Sequence, residues 1–113
     1  MRFQYLVIFL LVLLASAARN QAIPGGYSPI KNLNDHHLIE IANFAVTEYG
    51  KQQGIKQIKL EKITKGETQV VDGTNYRLLL SAIIESMSYP YQAIVYENRL
   101  KNFKKLISFV PIN

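Results

Sequence analysis

Gln69-Val70-Val71-Asp72-Gly73 is the stretch on which the fold turns. Asp72-Gly73 is a strong hairpin signal, because a tight turn needs positive φ and glycine adopts it without steric cost. Both flanks read as strands. Lys56 to Glu67 carries Ile58, Leu60 and Ile63, and Thr74 to Glu85 carries Tyr76, Leu78, Leu80, Ala82 and Ile84 on one side. The turn itself holds Val70 and Val71, where turns normally carry polar residues. Two apolar side chains at a hairpin tip cannot reach the core of their own sheet. Either their place there is an accident or they are meant for another molecule's pocket.

Downstream, Met87, Ser88, Tyr89 and Pro90 connect to a strand from Tyr91 to Asn98, with Ala93 and Val95 on one face and Ile94 and Tyr96 on the other. A short turn around Arg99, Leu100 and Lys101 precedes a last strand. There Phe103, Ile107 and Phe109 alternate with Leu106 and Val110, and Lys105 interrupts the pattern. Upstream, Asn34 or Asp35 caps a helix by accepting backbone N–H bonds in its first turn. Leu38, Ile41, Ala42, Ala45 and Tyr49 recur at three- and four-residue steps and make one apolar face. Gly50 and Gly54 loosen and end this helix. Residues 19–31 hold Pro24, Gly25, Gly26 and Pro29 and read as a flexible arm. One helix before a run of antiparallel strands predicts an α+β fold, a single helix wrapped by a four- to five-stranded antiparallel sheet. The two hairpins of such a meander point the same way. Val70, Val71 and Leu100 would then form one thin apolar ridge, whereas the position of the arm does not follow from topology.

The start of the chain reads as a targeting segment. Arg2 precedes an almost unbroken apolar run from Phe3 to Leu14, and Ala15-Ser16-Ala17-Ala18 offers small residues for a signal peptidase. Residues 1–18 are thus expected to be a secretory signal, cut after Ala17 or Ala18, with residues 19–113 forming one domain. The run is shorter than the ~20 residues that span a bilayer, and nothing later is apolar for long enough, so no membrane association is expected after cleavage. Cysteine is absent, which excludes disulfide staples and thiol chemistry. The net charge of +5 is mild and scattered. It favours encounters with acidic partners and lacks the dense basic stripe of a nucleic-acid binder. His36 and His37 are neighbours and point about 100° apart on a helix, so they make no metal site on one face. Serines 81, 86, 88 and 108 have no histidine at a recognisable spacing. Neither catalysis nor a cofactor is expected.

In this order and spacing the motifs resemble a cystatin of the plant type, over Gly25 to Phe109. The first hairpin of that family is Gln-x-Val-x-Gly, matched by Gln69, Val71 and Gly73. Its paired glycines are matched by Gly25-Gly26, followed by Tyr27-Ser28-Pro29-Ile30. Its helix signature is matched by Ile41-Ala42-Asn43-Phe44-Ala45-Val46, with Asn43 where a charge is usual. The second hairpin departs from the pattern: Arg99-Leu100 stands where the family usually has Pro-Trp. Leu100 recovers only part of the apolar contact of a tryptophan. Arg99 lacks the fixed φ of proline and adds a charge that suits an acidic rim.

The resemblance implies a monomer that inhibits papain-like cysteine proteases reversibly and competitively. It would insert Gly25, Gly26, Gln69, Val70, Val71, Asp72, Gly73, Arg99 and Leu100 into the active-site cleft. Arg99-Leu100 implies weaker inhibition of some targets. The family's second activity, against legumain-type proteases, belongs to members with a carboxy-terminal extension and is not implied for a chain ending at Asn113. The rival reading is a secreted binding module that keeps the cystatin-like fold and has lost its inhibitory edge.

Overall fold

The computed structural model describes residues 26–113. The expected signal segment and Gly25 lie outside them. The elements run β1 (Ser28–Pro29), α1 (His36–Gln53), β2 (Ile58–Val71), β3 (Gly73–Ile84), β4 (Met87–Asn98) and β5 (Phe103–Pro111). The strands form one antiparallel sheet in sequence order, β1-β2-β3-β4-β5, and α1 packs across one face of it. This is the expected α+β fold with all five strands present.

The helix begins where its capping residue predicts. The Asp35 carboxylate accepts the Leu38 N–H at 3.1 Å, satisfying one of the orphan donors of the first turn. Gly54 ends it in a left-handed conformation, φ 71°. Contrary to the sequence expectation, Gly50 does not loosen the helix; it is buried inside the last turns. A Cβ there would stand 2.7 Å from Ile58 Cγ2, so glycine serves the close crossing of α1 over the start of β2. Leu38, Ile41, Ala42, Ala45 and Val46 of α1 meet Tyr76, Leu78, Leu80 and Ala82 of β3 and Tyr91, Ala93 and Val95 of β4 in a single buried core. Tyr49 completes it by stacking on Phe109 of β5, with ring centroids 4.2 Å apart.

Four boundaries differ from the sequence reading. β2 does not stop at Glu67: its pairing with β3 continues through Gln69↔Asn75 and Val70↔Thr74 to Val71↔Gly73, leaving Asp72 alone at the apex. Val70 and Val71 are therefore strand residues, which is where β-branched side chains belong. β4 starts at Met87, because Glu85 and Ser86 make a two-residue turn with φ of 52° and 67°. That conformation usually recruits Asn-Gly, so Glu-Ser gave no signal. Between β4 and β5 the register slips: Ile94 pairs with Ser108 and Val95 with Leu106, so Ile107 of β5 is the extra residue. The bulge turns Leu106 and Phe109 toward the helix and leaves Ile107 exposed, which explains the broken alternation. Finally, Ser28 and Pro29 are not plain arm; they pair with Thr68 and Glu67 as a short edge strand. Ile30 follows by donating its N–H to the Gly66 carbonyl at 2.8 Å.

The core is small and has no disulfide behind it. Leu78 is fully buried at its centre. Leu78→Ala is expected to cost about 2–5 kcal/mol, the range for a buried leucine whose cavity cannot collapse, measured as a lower urea midpoint. An Asp35→Ala cap deletion should cost only about 1 kcal/mol.

Candidate functional site

The β2–β3 hairpin and the β4–β5 hairpin project from the same end of the sheet. Val70, Val71, Asp72, Gly73 and Thr74 from the first, and Glu97, Asn98, Arg99 and Leu100 from the second, line one open cleft of about 270 Å³. The apolar side chains at its rim are held away from the core. Val70 is 70% exposed, Val71 46% and Leu100 100%. The expected ridge of Val70, Val71 and Leu100 is thus assembled at one pole of the molecule. A larger surface depression, about 550 Å³ beside Gly50, Gly54, Ile55 and Ile58, lies at the start of β2, the opposite end of the sheet.

The first hairpin is built to be tight. Gly73 has φ 112°, which side-chain-bearing residues rarely adopt. A Cβ at Gly73 would stand 2.6 Å from the Glu97 carbonyl oxygen and 2.6 Å from the Tyr96 hydroxyl. Glycine is therefore demanded twice, by backbone conformation and by the close approach of β4. Gln69 does not face the cleft; its Oε1 accepts the Asn75 amide N–H at 3.0 Å across the ladder. It stiffens the base of the hairpin.

The arm is placed by pairing that the sequence reading did not foresee. With Ser28 opposite Thr68 in antiparallel register, the chain preceding it runs alongside β2 toward Val70. Exposed Gly26 is therefore carried to the end that bears both hairpins. Tyr27 is tied to the sheet by the Arg77 guanidinium, 3.9 Å from its ring centroid. Arg77 is in turn paired with Glu67 at 2.8 Å.

Arg99 lies in the lining of the cleft. Its guanidinium folds back, with Nε 3.6 Å from the Glu97 carboxylate, so its charge is directed inward as well as to solvent. Leu100, at the apex of the turn closed by the Asn102 N–H to the Arg99 carbonyl, is left as the outward side chain. Glu97 is only 7% exposed and accepts hydrogen bonds from His37 Nε2 at 2.7 Å and from the Tyr76 hydroxyl at 3.2 Å. Burial by itself pushes the Glu97 carboxyl up. The His37 hydrogen bond and charge, the Tyr76 hydroxyl and Arg99 outweigh it, and the net shift is downward. Burial and the Glu97 charge push the Tyr76 phenol up. The sequence reading missed Glu97, since one acid in a strand of mixed residues carries no periodic signal. Among the described residues no three His, Cys, Asp or Glu side chains converge as metal ligands. His37 spends its two ring nitrogens on Glu97 and Glu40.

Similar plant proteins are named cysteine proteinase inhibitors or cystatins. "Cysteine proteinase inhibitor 5" of Arabidopsis thaliana is 47% identical over 109 residues, 96% of this chain and 86% of that protein. "Cysteine proteinase inhibitor 6" of Oryza sativa subsp. japonica is 39% identical over 87% of this chain and 88% of its own length. The chain belongs to the plant cystatin family. Residues 30–112 of this cystatin also match a family model described as SQAPI, aspartic acid proteinase inhibitor. Its fold matches the crystal structure of a salivary cystatin from the soft tick Ornithodoros moubata, with a TM-score of 0.69 over 80% of this chain and all of that one, at 20% identity. The solution structure of the squash aspartic acid proteinase inhibitor matches with a TM-score of 0.57 and 29% identity, over 78% of this chain and 94% of that one.

A depressed Glu97 pKa stabilises the fold above the pKa of an unfolded glutamate, about 4.3. That contribution disappears as pH falls through the lower, folded value. Glu97→Gln should therefore lower the urea midpoint at pH 7 and narrow its gap to the native chain as pH drops below about 4. Urea titrations at a series of pH values measure both. A gap that stayed constant with pH would show that Glu97 does not ionise differently in the two states.

Proposed function

We propose that this cystatin inhibits papain-like cysteine proteases reversibly and competitively, by wedging the end of its sheet into the active-site cleft. The wedge comprises the Gly25-Gly26 arm, the first hairpin from Gln69 to Gly73 with Val70 and Val71 at its rim, and the second hairpin with Leu100 at its apex. The observation that carries the reading is the pairing of two exposed aliphatic tips, Val70 and Leu100, on adjacent rigid hairpins. The names of the relatives, cysteine proteinase inhibitors, point the same way.

The physics is direct. Apolar subsites that bury Val70, Val71 and Leu100 gain about 25 cal/mol per Å² of surface removed from water. Hairpins that are already formed lose little conformational freedom on docking, so more of that gain survives as affinity. The wedge blocks the cleft without placing a peptide bond in line for attack, so the inhibitor outlasts the encounter. Gly26 leaves the arm free to lie along the substrate side of the cleft. All three elements come from one chain, so no second copy is needed. The apolar run from Phe3 to Leu14 followed by small residues supports export before the domain acts.

Titrating papain with the protein while following a fluorogenic substrate is the test. Competitive inhibition is expected. Leu100→Ala should raise the inhibition constant about tenfold, as for a moderate interface hot spot, and leave the melting temperature unchanged, because Leu100 is fully exposed among the described residues. Papain hydrolysis unaffected by micromolar protein would remove this reading and leave the secreted binding module. The match to an aspartic acid proteinase inhibitor model favours a second assay arm with pepsin. Inhibition there and not with papain would reassign the target class.

A further inference from the structure

The backbone ladder between β3 and β4 reaches its last rung at Thr74 opposite Glu97. Beyond that rung nothing in the main chain joins the two hairpins, and each tip is a two-stranded ribbon, a form that is marginal alone. Side chains bridge the gap. The Lys101 N–H, inside the second turn, donates to Asn98 Oδ1 at 3.2 Å. The Asn98 amide donates to the Tyr96 hydroxyl at 3.4 Å. The Tyr96 hydroxyl donates to the carbonyl oxygen of Asp72, the apex of the first hairpin. Donors and acceptors alternate without conflict along this chain, because a phenol both accepts and donates. It also gives the Asp72 carbonyl, which sits at a turn apex outside the ladder, a partner. The space for it exists because Gly73 has no side chain: a Cβ would stand 2.8 Å from Tyr96 Cε1. Asn98, only 7% exposed, is placed by burial and not by chance at the surface.

We propose that Tyr96, acting with Asn98, is a positioning residue that locks the two hairpin tips at a fixed spacing, so that they meet a protease as one preorganised edge. Tyr96 works here through Asp72 and Lys101, not by touching the target. The proposal rests on the inhibitor reading above. Freeing the tips adds an ordering step to docking, which weakens the complex. The electrostatics of encounter stay as they were, so the loss falls on dissociation.

Tyr96→Phe removes the hydroxyl and keeps the ring. The Lys101 acceptor, Asn98 Oδ1, stays in place but its amide loses the phenol that anchors it, so in the free protein hydrogen exchange at the Lys101 amide should speed up about fivefold to tenfold, the factor that one hydrogen bond of ordinary net strength is worth. The papain complex should dissociate faster by a similar factor, with the association rate and its salt dependence unchanged. Asn98→Ala should reproduce both effects, and the double variant should add little to either single one. Weaker inhibition with unchanged Lys101 exchange would mean that the phenol contacts the protease itself, which overturns the proposal. Faster exchange with unchanged inhibition would overturn it too, since spacing would then not matter for docking. If the native chain fails to inhibit papain, the inhibitor reading falls, and Lys101 exchange in Tyr96→Phe still decides whether the hydroxyl couples the tips.

Discussion

At Gly73 the first hairpin meets the fourth strand with no space for a side chain, and the rest of that end of the sheet is arranged around the contact. The Glu97 carbonyl and the Tyr96 ring occupy the volume a Cβ would need. Interiors are packed densely enough that one extra carbon forces a backbone shift. If β4 moved away, the Asp72 carbonyl would lose its donor and the cleft between Val70 and Leu100 would change width. A single missing atom therefore controls both the shape of one hairpin and its distance from the other.

The second layer of control is a buried carboxylate. Glu97 collects His37 from the helix start, Tyr76 from β3 and Arg99 from the second hairpin. A buried charge is tolerable only when it is paired and hydrogen-bonded, and here the partners come from three elements. This gives Arg99 a structural meaning. Where the family pattern has proline, whose ring fixes φ covalently, this chain places a side chain that is drawn back to a fixed anion. The substitution exchanges a covalent constraint for an ionic one two residues away. It leaves Leu100 alone at the apex, so the second hairpin offers an aliphatic tip of modest area with cationic neighbours at Arg99 and Lys101.

Much of this was legible from residue order. The helix face, its Asp35 cap, the inward set Tyr76, Leu78, Leu80 and Ala82, and the tight turn at Asp72-Gly73 all follow from rules that act within a few residues. The misplaced boundaries share a cause. Glu85-Ser86 adopts positive φ without glycine or asparagine, the bulge opposite Ile94 shifts β5 by one residue, and the pairing of Ser28 with Thr68 spans forty residues of chain. None of these leaves a periodic or compositional trace. Val70 and Val71 were the informative exception, since their oddity as turn residues marked them for a partner, although they proved to be the last paired residues of a strand.

Local sequence determined the secondary structure, the identity of the core and the candidate apolar tips, because propensity, capping and side-chain alternation operate over short distances along the chain. Tertiary structure alone decided that Ser28 and Pro29 pair with Thr68 and Glu67 of β2, that Arg99 turns toward Glu97, and that Tyr96 and Asn98 bridge the hairpins. Those outcomes depend on register between strands and on which groups burial leaves in need of a partner. Such needs exist only once the sheet has closed over the helix.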